Sequence, residues 1–173
     1  MHGIKYIEEF VSAPEELFRL LKVNVEWDNR MANRKTASFG VAYNYSQLSY
    51  PYTRFIPELE DIATRIEEEF GFEPNNCLIN YYLDGNSKMG FHSDQTDLLV
   101  ENTGIAILSV GETRTLRFRK IQEQDELIDF ELPSGSLIYM TQEVQRVWQH
   151  SIPQSDTSNG RMSLTFRQIK HLI

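Results

Sequence analysis

The sequence predicts a mainly β fold with flanking helices, a sandwich or jelly roll. From residue 78 onward the chain falls into short runs that read as strands: Leu78 to Leu83, Thr103 to Val110, Thr113 to Lys120, Leu127 to Leu132, Ser136 to Thr141, Val147 to Ser151 and Arg161 to Ile169. Turn-forming stretches such as LDGNSKMG, PSG and QSDTSNG separate them, the pattern of an all-β sandwich or barrel. Ahead of them lie two stretches with helical periodicity.

In chain order, Ser12 followed three residues later by Glu15 reads as a capping box. It opens a helix whose Leu17, Phe18 and Leu21 form an apolar stripe for packing. Residues 27–52 interleave Arg30, Arg34 and Lys35 with Phe39, Tyr43, Tyr45, Tyr50 and Tyr52. Such a mixture can hold phosphates and stack bases, or the tyrosines can simply pack over the core from exposed hairpins. Pro57 then opens an amphipathic helix carrying Leu59, Ile62, Ile66 and Phe70, and Gly71 closes it. Glu67, Glu68 and Glu69 make its solvated face. Pro74, Asn75 and Asn76 form a turn into the β-rich part. No repeat or linker divides the chain, and its 173 residues fit one domain, 1–173.

Chemistry concentrates in NYYLDGNSKMGFHSD, residues 80–94. His92 and Asp94 stand two apart, so on an extended strand both point to one side and can grip one metal ion. His150, near the end of a later extended run, is available as a third ligand. Two imidazoles and a carboxylate on one face of an octahedron leave three positions open, as in non-haem Fe(II) oxygenases. These donors suit Fe(II), and none is a sulfur that would favour copper or zinc. The C-terminal run GRMSLTFRQI alternates strictly. Arg161, Ser163, Thr165 and Arg167 share one face, with Met162, Leu164 and Phe166 on the other. Guanidinium forks suit carboxylates.

With NxY (Asn80, Tyr82) before HxD, then a distant His and RxxxxxR within LTFR, the chain resembles the AlkB-type Fe(II)/2-oxoglutarate dioxygenases. The likeness runs through LPSGSLIYM, covers roughly Cys77 to Ile169 and extends more weakly from about Arg34. It implies a double-stranded β-helix core at residues 77–169, with 27–52 as a substrate lid. It also implies a metal held by His92, Asp94 and His150, and 2-oxoglutarate bound to it through the keto-acid end. Arg161 is then the partner of the far carboxylate, with Asn80 and Tyr82 donating further bonds. Arg167, Thr165 and Ser163 complete the cosubstrate set, and which arginine meets which end stays open. Arg34, Lys35, Tyr43, Tyr45 and Thr96 are the implied substrate contacts. Two positions depart from the pattern of the nucleic-acid-repairing members. An acidic residue commonly lies two places after the Asp ligand, where this chain has Thr96. Asparagine often stands where this chain has Ser163.

Bulk composition bounds the rest. A 40% hydrophobic and 12% aromatic chain reads as an ordinary soluble protein. No run reaches the length of a membrane span, and MHGIKYIEEF lacks the regions of a signal peptide, which predicts a cytoplasmic protein with no membrane partner. Cys77 is the one cysteine, so no internal disulfide can form. A net charge of −8 argues against broad adhesion to nucleic acid but leaves room for a local basic patch. The resemblance implies a protein that uses Fe(II), 2-oxoglutarate and O2 to dealkylate N-alkylated nucleobases in DNA or RNA, flipping the base out of a duplex where needed, and a monomer is expected. The alternative is a hydroxylase or demethylase of a protein side chain or small metabolite. A silent jelly-roll binding module is hard to reconcile with three metal-ligand candidates and paired arginines.

Overall fold

The computed structural model describes residues 1–45 and 47–171. Its elements, in order, are β1 (Ile4–Ile7), α1 (Pro14–Asn24), β2 (Lys35–Gly40), β3 (Tyr43–Tyr45), β4 (Leu48–Tyr50), α2 (Pro57–Phe70), β5 (Asn76–Tyr82) and β6 (Met89–His92). There follow β7 (Ile105–Gly111), β8 (Arg114–Lys120), β9 (Leu127–Leu132), β10 (Leu137–Met140), α3 (Gln142–Val147), β11 (Trp148–Ile152) and β12 (Arg161–Arg167).

The strands build a six-stranded sheet, ordered β1-β10-β7-β12-β5-β2, and a four-stranded sheet, ordered β6-β11-β8-β9. Every pairing is antiparallel. The two sheets face each other as a jelly roll. β3 and β4 make a separate hairpin.

Period-two alternation divides the large sheet between two environments. Cys77, Ile79 and Tyr81 of β5, Ala106, Leu108 and Val110 of β7 and Met162, Leu164 and Phe166 of β12 face α1 and α2. There they meet Leu21, Leu59, Ile62 and Ile66. The opposite face, with Tyr82, Ile105, Ile107 and Ile138, packs against Leu116, Phe118, Leu132 and Ile152 of the small sheet. β12 lies between β5 and β7 with its ladder paired on both sides, and both of its faces are buried.

Several expectations change. The capping box of Ser12 and Glu15 does not form: α1 begins at Pro14 with Ala13 in the N-cap position and no side-chain cap bond. Proline's fixed φ suits the first helical position, which moves the start past Ser12 and leaves Glu15 one residue too early for the reciprocal bond. α2 behaves as expected, ending on Gly71 at a left-handed φ of 77°. Both edge strands of the large sheet, β1 and β2, come from before residue 77, so the sheet draws on more chain than 77–169. Of residues 27–52, Lys35–Gly40 is that edge strand, and only the β3–β4 hairpin stands apart. The strands β1, β2 and β6 and the helix α3 escape periodicity because each is short or mixes small and polar residues. At Gly111 (φ 94°) a Cβ would fall 2.5 Å from the Gly160 carbonyl oxygen, so the exit from β7 requires glycine. Among the described residues no helix is long and apolar enough to cross a membrane.

Because Phe166 is fully buried on the doubly paired strand, Phe166→Ala is expected to destabilise the protein by about 3–5 kcal/mol. Urea denaturation measures this, and a loss below about 1 kcal/mol would show that β12 is not the packing centre.

Candidate metal and cosubstrate site

His92 ends β6 and lies directly across the ladder from His150 on β11, which brings their rings to 4.4 Å between centroids. Asp94 lies just beyond β6, where Gln145 of α3 accepts its backbone N–H at 2.8 Å. The carboxylate thus reaches the histidines although it is not itself on a strand. Asp94 Oδ1 is 3.3 Å from His92 Nε2 and 3.6 Å from His150 Nε2. One ligand atom from each of the three residues lies within 4.8 Å of the others.

The electrostatics of this cluster call for a cation. His92 Nδ1 donates to the Gly90 carbonyl at 2.9 Å, which leaves Nε2 facing Asp94. Burial pushes His150 down to about 4, so its ring is neutral near pH 7. Burial also works against charge on His92, but the bond to Asp94, the Asp94 charge and the Gly90 carbonyl together outweigh it and raise that pKa. Burial opposes ionisation of Asp94 as well, yet the His92 bond and the Arg167 charge hold it far below the usual carboxylate range. A carboxylate and two imidazole nitrogens therefore converge with no more than a proton among them. A divalent ion fits this donor set.

Beneath the cluster a pocket runs between the sheets. Its wall contains all six cosubstrate candidates, Asn80, Tyr82, Arg161, Ser163, Thr165 and Arg167, together with the three metal-ligand candidates. Arg167 stands at the metal end, its Nη2 donating to Asp94 Oδ2 at 3.2 Å. Arg161 stands six residues back along β12. Its one hydrogen bond is from Nη2 to Ser109 Oγ at 2.9 Å, and Nε and Nη1 have no partner among the described residues. Nor does any carboxylate there pair with it. Burial pulls this guanidinium down to about 10. Tyr82 lies 5.5 Å from it, and burial pushes the phenol up to about 12, keeping it protonated as a donor. Asn80 Oδ1 accepts from Arg34 Nε at 2.9 Å, leaving its NH2 group for the pocket.

The substrate candidates scatter. Tyr45 and Tyr43 of the hairpin reach the mouth, where Arg34 lies 5.7 Å from the Tyr45 ring and Arg167 lies 5.2 Å from the Tyr43 ring. Arg34 is buried, spending its Nη2 on the Tyr45 hydroxyl at 2.6 Å. Lys35 is not beside it: adjacent residues on a strand point to opposite faces, and Lys35 shares the helix-side face of Ala37 and Phe39. Thr96 is absent from the mouth wall, where Gln95 stands instead. Arg30 is exposed and paired with Asp28 at 2.6 Å.

Two supporting residues were not anticipated. Gln145 holds the Asp94 backbone, and no pattern in the sequence marks it. Buried Arg114 donates to the carbonyls of Asp84, Ser87 and Pro153 at 2.8–3.2 Å, pinning the loop that leads into β6. Its signal was legible, since it alternates with the inward-facing Leu116 and Phe118.

A model of the 2OG-Fe(II) oxygenase superfamily matches residues 9–167. The chain is 33% identical over 166 residues to the alpha-ketoglutarate-dependent dioxygenase alkB homolog 3 of Rattus norvegicus, covering 84% of this chain and 56% of that protein. It is 32% identical over 161 residues to the DNA oxidative demethylase ALKBH2 of Mus musculus, covering 87% and 67%. The chain thus spans little more than half the length of the first of these relatives. The solved structure of OsALKBH1 superposes with a TM-score of 0.71 over 96% of this chain and 98% of that one, at 16% identity, a likeness of fold.

Two substitutions test the donor set by calorimetric titration with Mn(II). Asp94→Ala is expected to abolish tight binding. Gln145→Leu, which touches no donor atom, is expected to weaken it by roughly 10–100-fold through loss of the Asp94 orientation. Tight binding by Asp94→Ala would refute the site.

Proposed function

Because the chain belongs to the AlkB-type branch of the 2OG-Fe(II) oxygenase superfamily, we propose that it oxidatively removes alkyl groups from ring nitrogens of DNA or RNA bases. His92, Asp94 and His150 would hold the Fe(II). With 2-oxoglutarate and O2, the bound iron supplies an oxygen atom for insertion into a C–H bond. One oxygen atom of O2 goes to the N-methyl carbon and the other to succinate, as 2-oxoglutarate loses CO2. The N-hydroxymethyl group then loses formaldehyde and leaves N–H on the base.

The observation that carries this reading is Arg161, a buried guanidinium with unmatched donors and no counter-ion among the described residues. A carboxylate placed against it would gain charge-assisted bonds where water cannot compete. Arg161 therefore takes the far carboxylate of 2-oxoglutarate, with the Tyr82 hydroxyl and the Asn80 amide beside it. Arg167, already at Asp94, serves the metal-proximal carboxylate, with Thr165 and Ser163 lining the space between. Apolar walls from Leu78, Ile107, Leu116 and Ile152 exclude water from the cosubstrate. The β3–β4 hairpin is the part of residues 27–52 that serves as the lid, and its Tyr43 and Tyr45 face the incoming base. The whole of 1–173 acts as one domain, a cytoplasmic monomer. A protein or metabolite substrate is the second reading, favoured by the net charge of −8, which disfavours broad contact with phosphates.

Two measurements test this. Formaldehyde release from methylated single strands, duplexes and peptides, assayed side by side, is expected from the oligonucleotides; release from peptides alone would overturn the nucleobase reading. Arg161→Met removes an uncompensated buried charge, so the unliganded protein is expected to keep or raise its urea midpoint. The stabilisation conferred on the parent by 2-oxoglutarate with Mn(II) should vanish. Unchanged stabilisation would reassign the cosubstrate's partner.

A further inference from the structure

The mouth above the metal site is unusual in its charge. Its cations are Arg34, Lys88 and Arg167, and its sole carboxylate among the described residues is Asp94, a metal-ligand candidate. Arg34 donates to two neutral acceptors, Asn80 Oδ1 at 2.9 Å and the Tyr45 hydroxyl at 2.6 Å, and among the described residues it forms no ion pair with a carboxylate. The two tyrosine rings that a base would meet already have guanidiniums nearby, Arg34 at Tyr45 and Arg167 at Tyr43. Their attraction for a cation is therefore taken up from within. What remains is a set of side-chain amides, Asn33, Asn44, Gln47 and Gln95, which both donate and accept.

Alkylation affects bases in two ways. At a ring nitrogen that carries no hydrogen, such as N3 of cytosine, it leaves a positive charge. At a nitrogen that exchanges its hydrogen for the alkyl group, such as N3 of thymine or uracil, it leaves a neutral ring. A cationic ring in this mouth would meet Arg34 with no carboxylate free to offset it, at a cost of like-charge contact in a partly desolvated site. A neutral ring would find amides able to match its carbonyl groups. The net charge of −8 does not reverse this, because exposed acids more than about 8 Å away are screened at physiological salt.

We propose that this mouth selects neutral N-alkylated bases over cationic ones, with Arg34 and Gln95 as the residues that set the preference. The inference rests on the nucleobase reading above and names the substrate class within it.

N3-methylthymine and N3-methylcytosine test it well, being near-isosteric with the methyl group at the same position and differing in charge. In single strands of one sequence, at saturating 2-oxoglutarate and Fe(II), kcat/KM for methylthymine is expected to exceed that for methylcytosine by about tenfold. Gln95→Glu, which adds a carboxylate, and Arg34→Gln, which removes the uncompensated charge, should each move the ratio toward methylcytosine by about tenfold. The ratio is insensitive to any loss of folded enzyme, since both substrates see the same sample. Equal or better turnover of methylcytosine by the parent overturns the inference while leaving the nucleobase reading standing. A thymine preference that neither substitution shifts also overturns it, because charge would not be the cause. Succinate formation with neither base demethylated defeats the nucleobase reading and the inference with it.

Discussion

A guanidinium enclosed by protein without an anion is costly, and among the described residues Arg161 has none, held in that condition by the strand that carries it. β12 cannot turn the side chain away, since the register with β5 and β7 is fixed on both sides and the alternate face belongs to Met162, Leu164 and Phe166. The packing that stabilises the fold therefore also maintains a site with a standing demand for a carboxylate. Ser109 meets part of that demand, and the phenol of Tyr82 lies alongside. The unmatched donors are what the proposed cosubstrate carboxylate would meet.

The same logic governs the metal end. His92 and His150 are forced together because they face each other across one ladder, and Asp94 is drawn in by Gln145 and Arg167. A carboxylate and two imidazole nitrogens held this close form a donor set that a divalent cation would fill. The two ends of the pocket thus carry opposite needs, a cation at one and an anion at the other. A divalent ion would meet the first, and the far carboxylate of a dicarboxylate chelated to that ion would meet the second.

At the mouth, the tyrosines that look from sequence like free stacking platforms prove to be engaged with arginines from the pocket wall. Arg34, expected from the sequence to seek phosphates, is instead a positive charge fixed in the mouth wall. Lys35, one residue on, is lost to the opposite face of the sheet.

The local repeats of the sequence determined the β-rich class, the helix from Pro57 to Gly71, the inward face of β12 and the chemistry of HxD, because each depends on spacing along a few consecutive residues. Periodicity reads as plainly for Arg161, Ser163, Thr165 and Arg167 as for the leucines and phenylalanines between them. Tertiary structure alone decided which residues from distant segments meet. The role of Gln145, the use of β1 and β2 as sheet edges, the pairing of Arg34 with Asn80 across 46 residues and the replacement of Thr96 by Gln95 on the mouth wall all depend on long-range register. No local pattern encodes that register, since it is set by how two sheets and two helices share their buried faces.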